Sequence, residues 1–164
     1  MLAGMAHAEP FVDLGLNESR VGAKIANRQA RISTSSTGLH VGVGVRRTLS
    51  NGGDIGVRLE IDDLDSNTLL AIRALDYRFN LSQRFAVTAF AGVARLDLAT
   101  PAYGYYLGGG VQFKDLRPRW DLGIDVRYGD KIARDNLLPT DPQGGSPDNF
   151  YDLTGISVYL SRRF

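Results

Sequence analysis

The closing stretch TGISVYLSRRF, residues 154–164, decides the reading of the whole chain. Ile156, Val158 and Leu160 point to one side, while Ser157, Tyr159 and Ser161 point to the other. That is the two-residue period of a half-buried β-strand. Soluble domains usually trail off in a few frayed polar residues. Here the sequence stops mid-strand on an aromatic, Phe164, so the terminus reads as part of the fold.

The same period recurs upstream. PFVDLGLNES (10–19) sets Val12, Leu14 and Leu16 against Asp13, Gly15 and Asn17. GLHVGVGVRR (38–47) sets Leu39, Val41, Val43 and Val45 against His40, Gly42, Gly44 and Arg46. The Asn-Gly turn in LSNGG (49–53) is a hairpin signal, and DIGVRLEID (54–62) returns in alternation. Further strands follow in LLAIRALDYRF, RFAVTAFAGVARLDL, YYLGGGVQFK and WDLGIDVRYGD. Short turns (LSNGG, NLSQ, DLRPR) alternate with longer polar stretches (NRQARISTSST, DLDSNT, ATPAYG, DNLLPTDPQGGSPDN). The count is about eight strands of about ten residues, long enough to cross a bilayer when tilted. No helical period competes.

Composition narrows the classes. In 164 residues, nineteen Lys and Arg face eighteen Asp and Glu, and a net charge of +1 offers no footprint for nucleic acid. Without cysteine there are no disulfides, thiolate metal sites or thiol nucleophiles. No apolar run approaches the length of a membrane helix. MLAGMAHA (1–8) ends in the small-x-small form of a signal-peptidase site, so residues 1–8 are expected to be a leader remnant and 9–164 one domain.

The two strand faces differ in kind. One is Val, Ile, Leu and aromatic; the other mixes glycine with charges of both signs, including Asp13, Arg46, Arg58, Glu60, Asp121, Asp125 and Arg127. That division suits a barrel with lipid outside and a polar lumen, in which Arg58, Glu60, Asp121, Asp125 and Arg127 are expected to form a charge network. A soluble barrel or sandwich is the alternative. Phe11, Phe79, Phe85, Phe113, Trp120 and Phe164 sit beside short turns or chain ends, and Tyr103, Tyr105 and Tyr128 near the long-loop ends. Two aromatic girdles are therefore expected at the two interfaces. The fourth strand breaks the pattern, because one parity cannot turn both Arg73 and Asp76 inward. A β-bulge between them is expected.

On these residues, on DYRFNLSQRFAV (76–87) and on the closing GISVYLSRRF, the chain resembles the small eight-stranded outer-membrane β-barrels of Gram-negative bacteria, the OmpA-like and opacity-type porin group. The resemblance implies an all-β, antiparallel up-and-down transmembrane barrel with short periplasmic turns and longer extracellular loops. It implies a bacterial outer-membrane location, contact with membrane lipid and lipopolysaccharide, and an envelope protein partner reached through the loops. It also implies that the last strand, with Ile156, Val158, Leu160 and Phe164, is the signal read by the barrel-assembly machinery. Arg162 departs from the group, which often has an aromatic or apolar residue there. No peptidoglycan-binding domain is expected after Phe164.

Chemistry finds few residues. His7 falls in the leader, and His40 reads as an interior histidine paired with a carboxylate. Some barrels of this size are lipid A deacylases with a His-x-Ser pair on a late strand; VRYGDK (126–131) has neither residue. Asp63, Asp65 and Asn67 have the alternation of a calcium loop, but Thr68 and Ala74 stand where Gly and Glu are needed. No catalytic, metal or cofactor site is expected. Basic residues Arg28, Arg31, Lys131 and Arg134 could meet lipopolysaccharide phosphates. The expected role is non-enzymatic, structural or adhesive or as a subunit of an envelope assembly, with contacts centred on residues 136–150 and their neighbours in the first loop. A narrow solute pore is the alternative.

Overall fold

The computed structural model describes residues 8–25, 31–65, 67–97, 101–133 and 149–164. They form eight strands: β1 Glu9–Ile25, β2 Arg31–Thr48, β3 Asp54–Leu64, β4 Asn67–Asn80, β5 Phe85–Asp97, β6 Ala102–Arg117, β7 Trp120–Ala133 and β8 Asn149–Arg163. Each pairs antiparallel with its sequence neighbours, and β8 pairs with β1 to close a barrel. Closure leaves no sheet edge through the body of the wall.

The register fixes the barrel's shape. Starting at Leu14, the ladder passes through Val41, Ile61, Leu70, Arg95, Tyr103, Ala133 and Phe150 and returns to β1 at Lys24, ten residues further on. With about 3.4 Å per residue and about 4.8 Å between strands, that stagger tilts the strands by about 40°. The lumen of so small a barrel is only wide enough for side chains.

Alternation decides which side each residue takes. Val12, Leu14 and Leu16 on β1, Leu39, Val41, Val43 and Val45 on β2, and Val57, Leu59 and Ile61 on β3 are all exposed on the outer wall. Asp13, Asn17, His40, Arg46, Arg58, Glu60 and Asp62 alternate with them and are buried. This is the reverse of a soluble barrel, and it requires an apolar solvent outside. In β4 the ladder to β5 shifts between Arg73 and Leu75; Ala74 and Leu75 both face out, and Arg73 and Asp76 both face in. The extra residue is the bulge that two inward charges of incompatible parity require.

Three sequence-based expectations need correcting. NRQARISTSST is not a long loop: β1 reaches Ile25 and β2 starts at Arg31, so most of that polar stretch is paired strand. DLDSNT is likewise mostly strand, with only residues 65 and 66 between β3 and β4. Polar residues on both faces mark strand that has water on both sides, which composition alone does not separate from loop. Phe11 does not belong to a girdle either. It shares parity with Asp13 and lies inside the lumen, 1% exposed. Residues 1–7 of the expected leader, and residues 134–148 of the last connection, lie outside the described residues.

Candidate functional site: the filled lumen and its two rims

From the short-turn end upward, the lumen is filled in layers. At the bottom, Arg78 Nε pairs with Asp54 at 2.7 Å, and its Nη1 reaches Gln112 at 3.0 Å and Asp121 at 3.5 Å. Arg163 closes this layer, pairing with Asp121 at 3.3 Å and with Asp115. Above it, Asp76 accepts from Arg46 at 3.2 Å and from Arg58 at 3.0 Å, and Arg58 also pairs with Asp13 at 3.0 Å. The Phe11 ring lies under both guanidiniums, 4.5 Å from Arg46 and 5.1 Å from Arg58, a cation–π seat that gives an aromatic a reason to face a charged lumen.

At mid-height Arg73 bridges Glu60 and Asp125, each at 2.6 Å, with its guanidinium over Phe90. Tyr159 Oη donates to Asp125 at 2.9 Å, and Thr88 Oγ1 donates to it at 3.1 Å. Higher still, Arg127 pairs with Asp62 at 2.5 Å, and His40 Nδ1 lies 2.6 Å from the same carboxylate. Tyr106 Oη donates to Glu60 at 3.2 Å.

Of the five charges singled out in the sequence, Arg58, Glu60, Asp125 and Arg127 are thus linked to one another. Arg58 lies 3.7 Å from Glu60 and 3.8 Å from Asp125, and Arg127 lies 3.9 Å from Glu60. Asp121 is buried but separate, in the bottom layer. Arg73, Asp76 and Asp13, which hold this network together, and Asp54, which holds Arg78 in the bottom layer, are not among those five. Their inward parity was the available signal. His40 is fully buried against Asp62, as the interior histidine paired with a carboxylate that its parity predicts.

Above the charges the lumen changes character. Leu64, Leu69, Ala71, Ala94, Leu96, Ala102, Ile132 and Leu153 pack into an apolar cluster with the upper rings of Phe90 and Tyr106. Their outward neighbours there are polar: Asp63, Thr68, Arg95 and Asp97. The alternation has inverted. Where the outside is lipid the polar residues face in; where it is water the apolar ones do. The switch from Ile61 to Asp63, from Leu70 to Thr68 and from Val93 to Arg95 marks the upper edge of the lipid belt.

The girdle candidates divide by end. Phe79, Phe85, Phe113 and Trp120 lie on the outer wall near the short turns, with Phe85 and Phe113 ring to ring at 5.4 Å. Tyr103, Tyr105 and Tyr128 are exposed toward the other end, Tyr105 the most at 79%. Ile156, Val158 and Leu160 face outward on β8, and Phe164 is exposed at its foot, its backbone N–H donating to Pro10 O at 3.0 Å.

Among the described residues, the wall reaches furthest beyond the belt on the side of β8, β1 and β2. β1 and β2 stay paired from Glu18↔Thr37 up to Lys24↔Arg31, and β8 accompanies β1 to Ile25↔Asn149. Pairing of β2 with β3 starts only at His40↔Asp62. Among the described residues, β2 from Arg31 to Thr37 has no strand on that side.

This architecture superposes on Ail, the attachment invasion locus protein of Yersinia pestis, with a TM-score of 0.60 at 12% identity, covering 96% of this chain and 99% of that one. The fold is that of the small outer-membrane barrels. Neisserial surface protein A gives the same result, with a TM-score of 0.56 at 14% identity over 96% of this chain and 99% of that one. Ail was crystallised with the heparin analogue sucrose octasulfate. No family model matches the chain, and no curated protein matches it.

Proposed function

We propose that this chain is a non-enzymatic integral protein of the bacterial outer membrane that makes its contacts at the extracellular end. The observation carrying this reading is the wall of β8, β1 and β2 that stands above the apolar belt, where β2 from Arg31 to Thr37 has no second strand partner among the described residues. An open edge offers unpaired backbone donors and acceptors to an extended partner segment. Natural edges are usually blunted by Lys, Pro or a bulge, and Ser33 to Thr37 carries none of these. Residues 136–150, the Pro- and Gly-rich stretch of sequence that leads into β8, are the second contact candidate.

The pore reading is the weaker one. Ion pairs fill the lumen from Asp54 to Arg127, and an apolar cluster lies above them, which favours a filled lumen over a water path. Anchoring and assembly follow the same reading. The apolar belt meets lipid, and β8 with Phe164 serves as the address for the barrel-assembly machinery.

The test expresses the protein on the surface of a non-adherent Gram-negative host and scores attachment to matrix-coated surfaces. Replacing Ser33, Ser35 and Thr37 with Lys charges the open edge without touching the lumen. Attachment above the empty host, lost in this variant while the barrel stays folded, supports the proposal. Equal attachment by host, wild type and variant, or recovery of the protein outside the outer-membrane fraction, sinks it.

A further inference from the structure

Every described arginine in the lumen has a carboxylate, yet six exposed ones have none among the described residues, and five of the six share one end. Arg47, Arg84, Arg117, Arg119 and Arg162 are all exposed, and no described carboxylate lies within ion-pairing distance of any of them. All five sit at the short-turn end: Arg47 next to the end of β2, Arg84 in the β4–β5 turn, Arg117 and Arg119 at the β6–β7 turn, and Arg162 near the end of β8. The acids of this rim are already taken. Asp54 is held by Arg78, and Glu9 and Asp115 by Arg163. At the opposite end Arg95 is paired with Asp97, the exposed Arg20 donates to Ser33, and Glu18, Asp63 and Asp65 add exposed carboxylates.

The five arginines are spread around the barrel rather than gathered in one patch. They interleave with exposed apolar groups at the same level: Phe79, Leu81, Phe113, Leu116 and Phe164. Such a collar matches an annulus of lipid headgroups better than a single docked protein. Arg162 shows the arrangement in detail. Its guanidinium lies 5.5 Å from the Trp120 ring and 5.2 Å from the Phe164 ring, held by cation–π contact with both. A guanidinium stacked this way keeps its edge N–H donors free, and their fork matches phosphate oxygens. The position where an aromatic residue was expected thus carries a cation braced by two aromatics.

We propose that the short-turn rim is a binding collar for anionic glycerophospholipids of the adjacent leaflet, with the strongest seat formed by Arg162, Arg117, Arg119 and Trp120. This rests on the membrane-barrel reading above, but not on which contacts the far end makes. An anionic headgroup gains the attraction of each nearby guanidinium, about fivefold in relative affinity apiece. A zwitterionic headgroup gains little.

Trp120 is the only tryptophan in the chain and lies within this seat, so its fluorescence reports on it directly. The full chain is folded into vesicles containing either phosphatidylglycerol or phosphatidylcholine brominated near the top of the acyl chains, at equal mole fraction. Stronger quenching by the brominated phosphatidylglycerol, at a relative affinity of about fivefold or more, is the expected result. The preference should shrink in 0.5 M salt, about where the screening length falls below 5 Å. It should approach unity in the Arg117→Gln, Arg119→Gln, Arg162→Gln triple variant. Arg162→Gln alone, one exposed side chain, should remove part of it if the triple variant folds poorly. Equal quenching by the two lipids in the wild type overturns the collar, and is what a rim built for an acidic periplasmic protein would give. A preference that survives the triple variant overturns it too. If neither brominated lipid quenches Trp120, the chain is not in the bilayer, and the membrane reading itself fails.

Discussion

Asp76 is one carboxylate serving two buried guanidiniums, Arg46 and Arg58. Removing it leaves both cations in the lumen with fewer partners, and losing one member of a buried ionic set costs about 3–5 kcal/mol. Asp76→Ala should therefore lower the unfolding free energy by that order, measured by equilibrium urea unfolding in phospholipid vesicles. Asp97→Ala breaks only an exposed pair and should change stability by less than about 1 kcal/mol. Equal effects in the two variants would mean that lumen water, not ion pairing, satisfies the interior. Glycine has its own place on this wall. A Cβ at Gly123 would stand 2.3 Å from the Tyr159 ring, whose hydroxyl donates to Asp125. Gly123→Ala should cost about 1–3 kcal/mol through overpacking, read in the same unfolding experiment. The inward position of these charges was legible from parity alone. Their pairing was not, because partners such as Arg73 and Asp125 are 52 residues apart and meet only across the closed barrel.

At the scale of the strand, β4 shows how far a two-residue period can be read. Its sequence demanded an irregularity between Arg73 and Asp76, and the ladder shifts there. Deleting Ala74 removes the extra residue, brings Arg73 and Asp76 to the same parity and keeps both inward in a regular ladder. An Arg facing lipid at the midplane would cost about 2–4 kcal/mol, and the deletion avoids it without a bulge, so the variant should keep the wild-type heat-modifiable, folded fraction on cold gels. Loss of that fraction would show that the irregularity does more than reconcile the two parities. The chain ends of β1 and β2 were misread for a physical reason. Ser and Thr on both faces give no apolar period, and a paired strand surrounded by water looks like loop. β8 carries a different expectation. Replacing Phe164 with Asp should leave protein in the periplasm, protease-sensitive and unassembled, if the terminal strand is the assembly signal. Normal surface levels of that variant would refute the role.

Across the whole molecule, two solvents can be read from one wall. Over the belt, apolar residues face out and charges face in; above it, Leu64, Leu69, Leu96 and Leu153 turn inward. The fold class was legible because lipid imposes a clean division of faces along every strand. The apolar cap was missed because the inverted alternation covers only two or three residues per strand, and its members meet only across the closed barrel. The cap matters for function, since it sits on top of a lumen already occupied by Arg58, Arg73 and Arg127 with their carboxylates. On the proposed reading the barrel is inserted in the membrane, its lumen is filled rather than open, and its contacts are made at the rims. Reconstitution of the folded protein in planar bilayers separates this from a pore. Insertion without steady single-channel current is the predicted result; reproducible current steps from the inserted wild-type protein would contradict it.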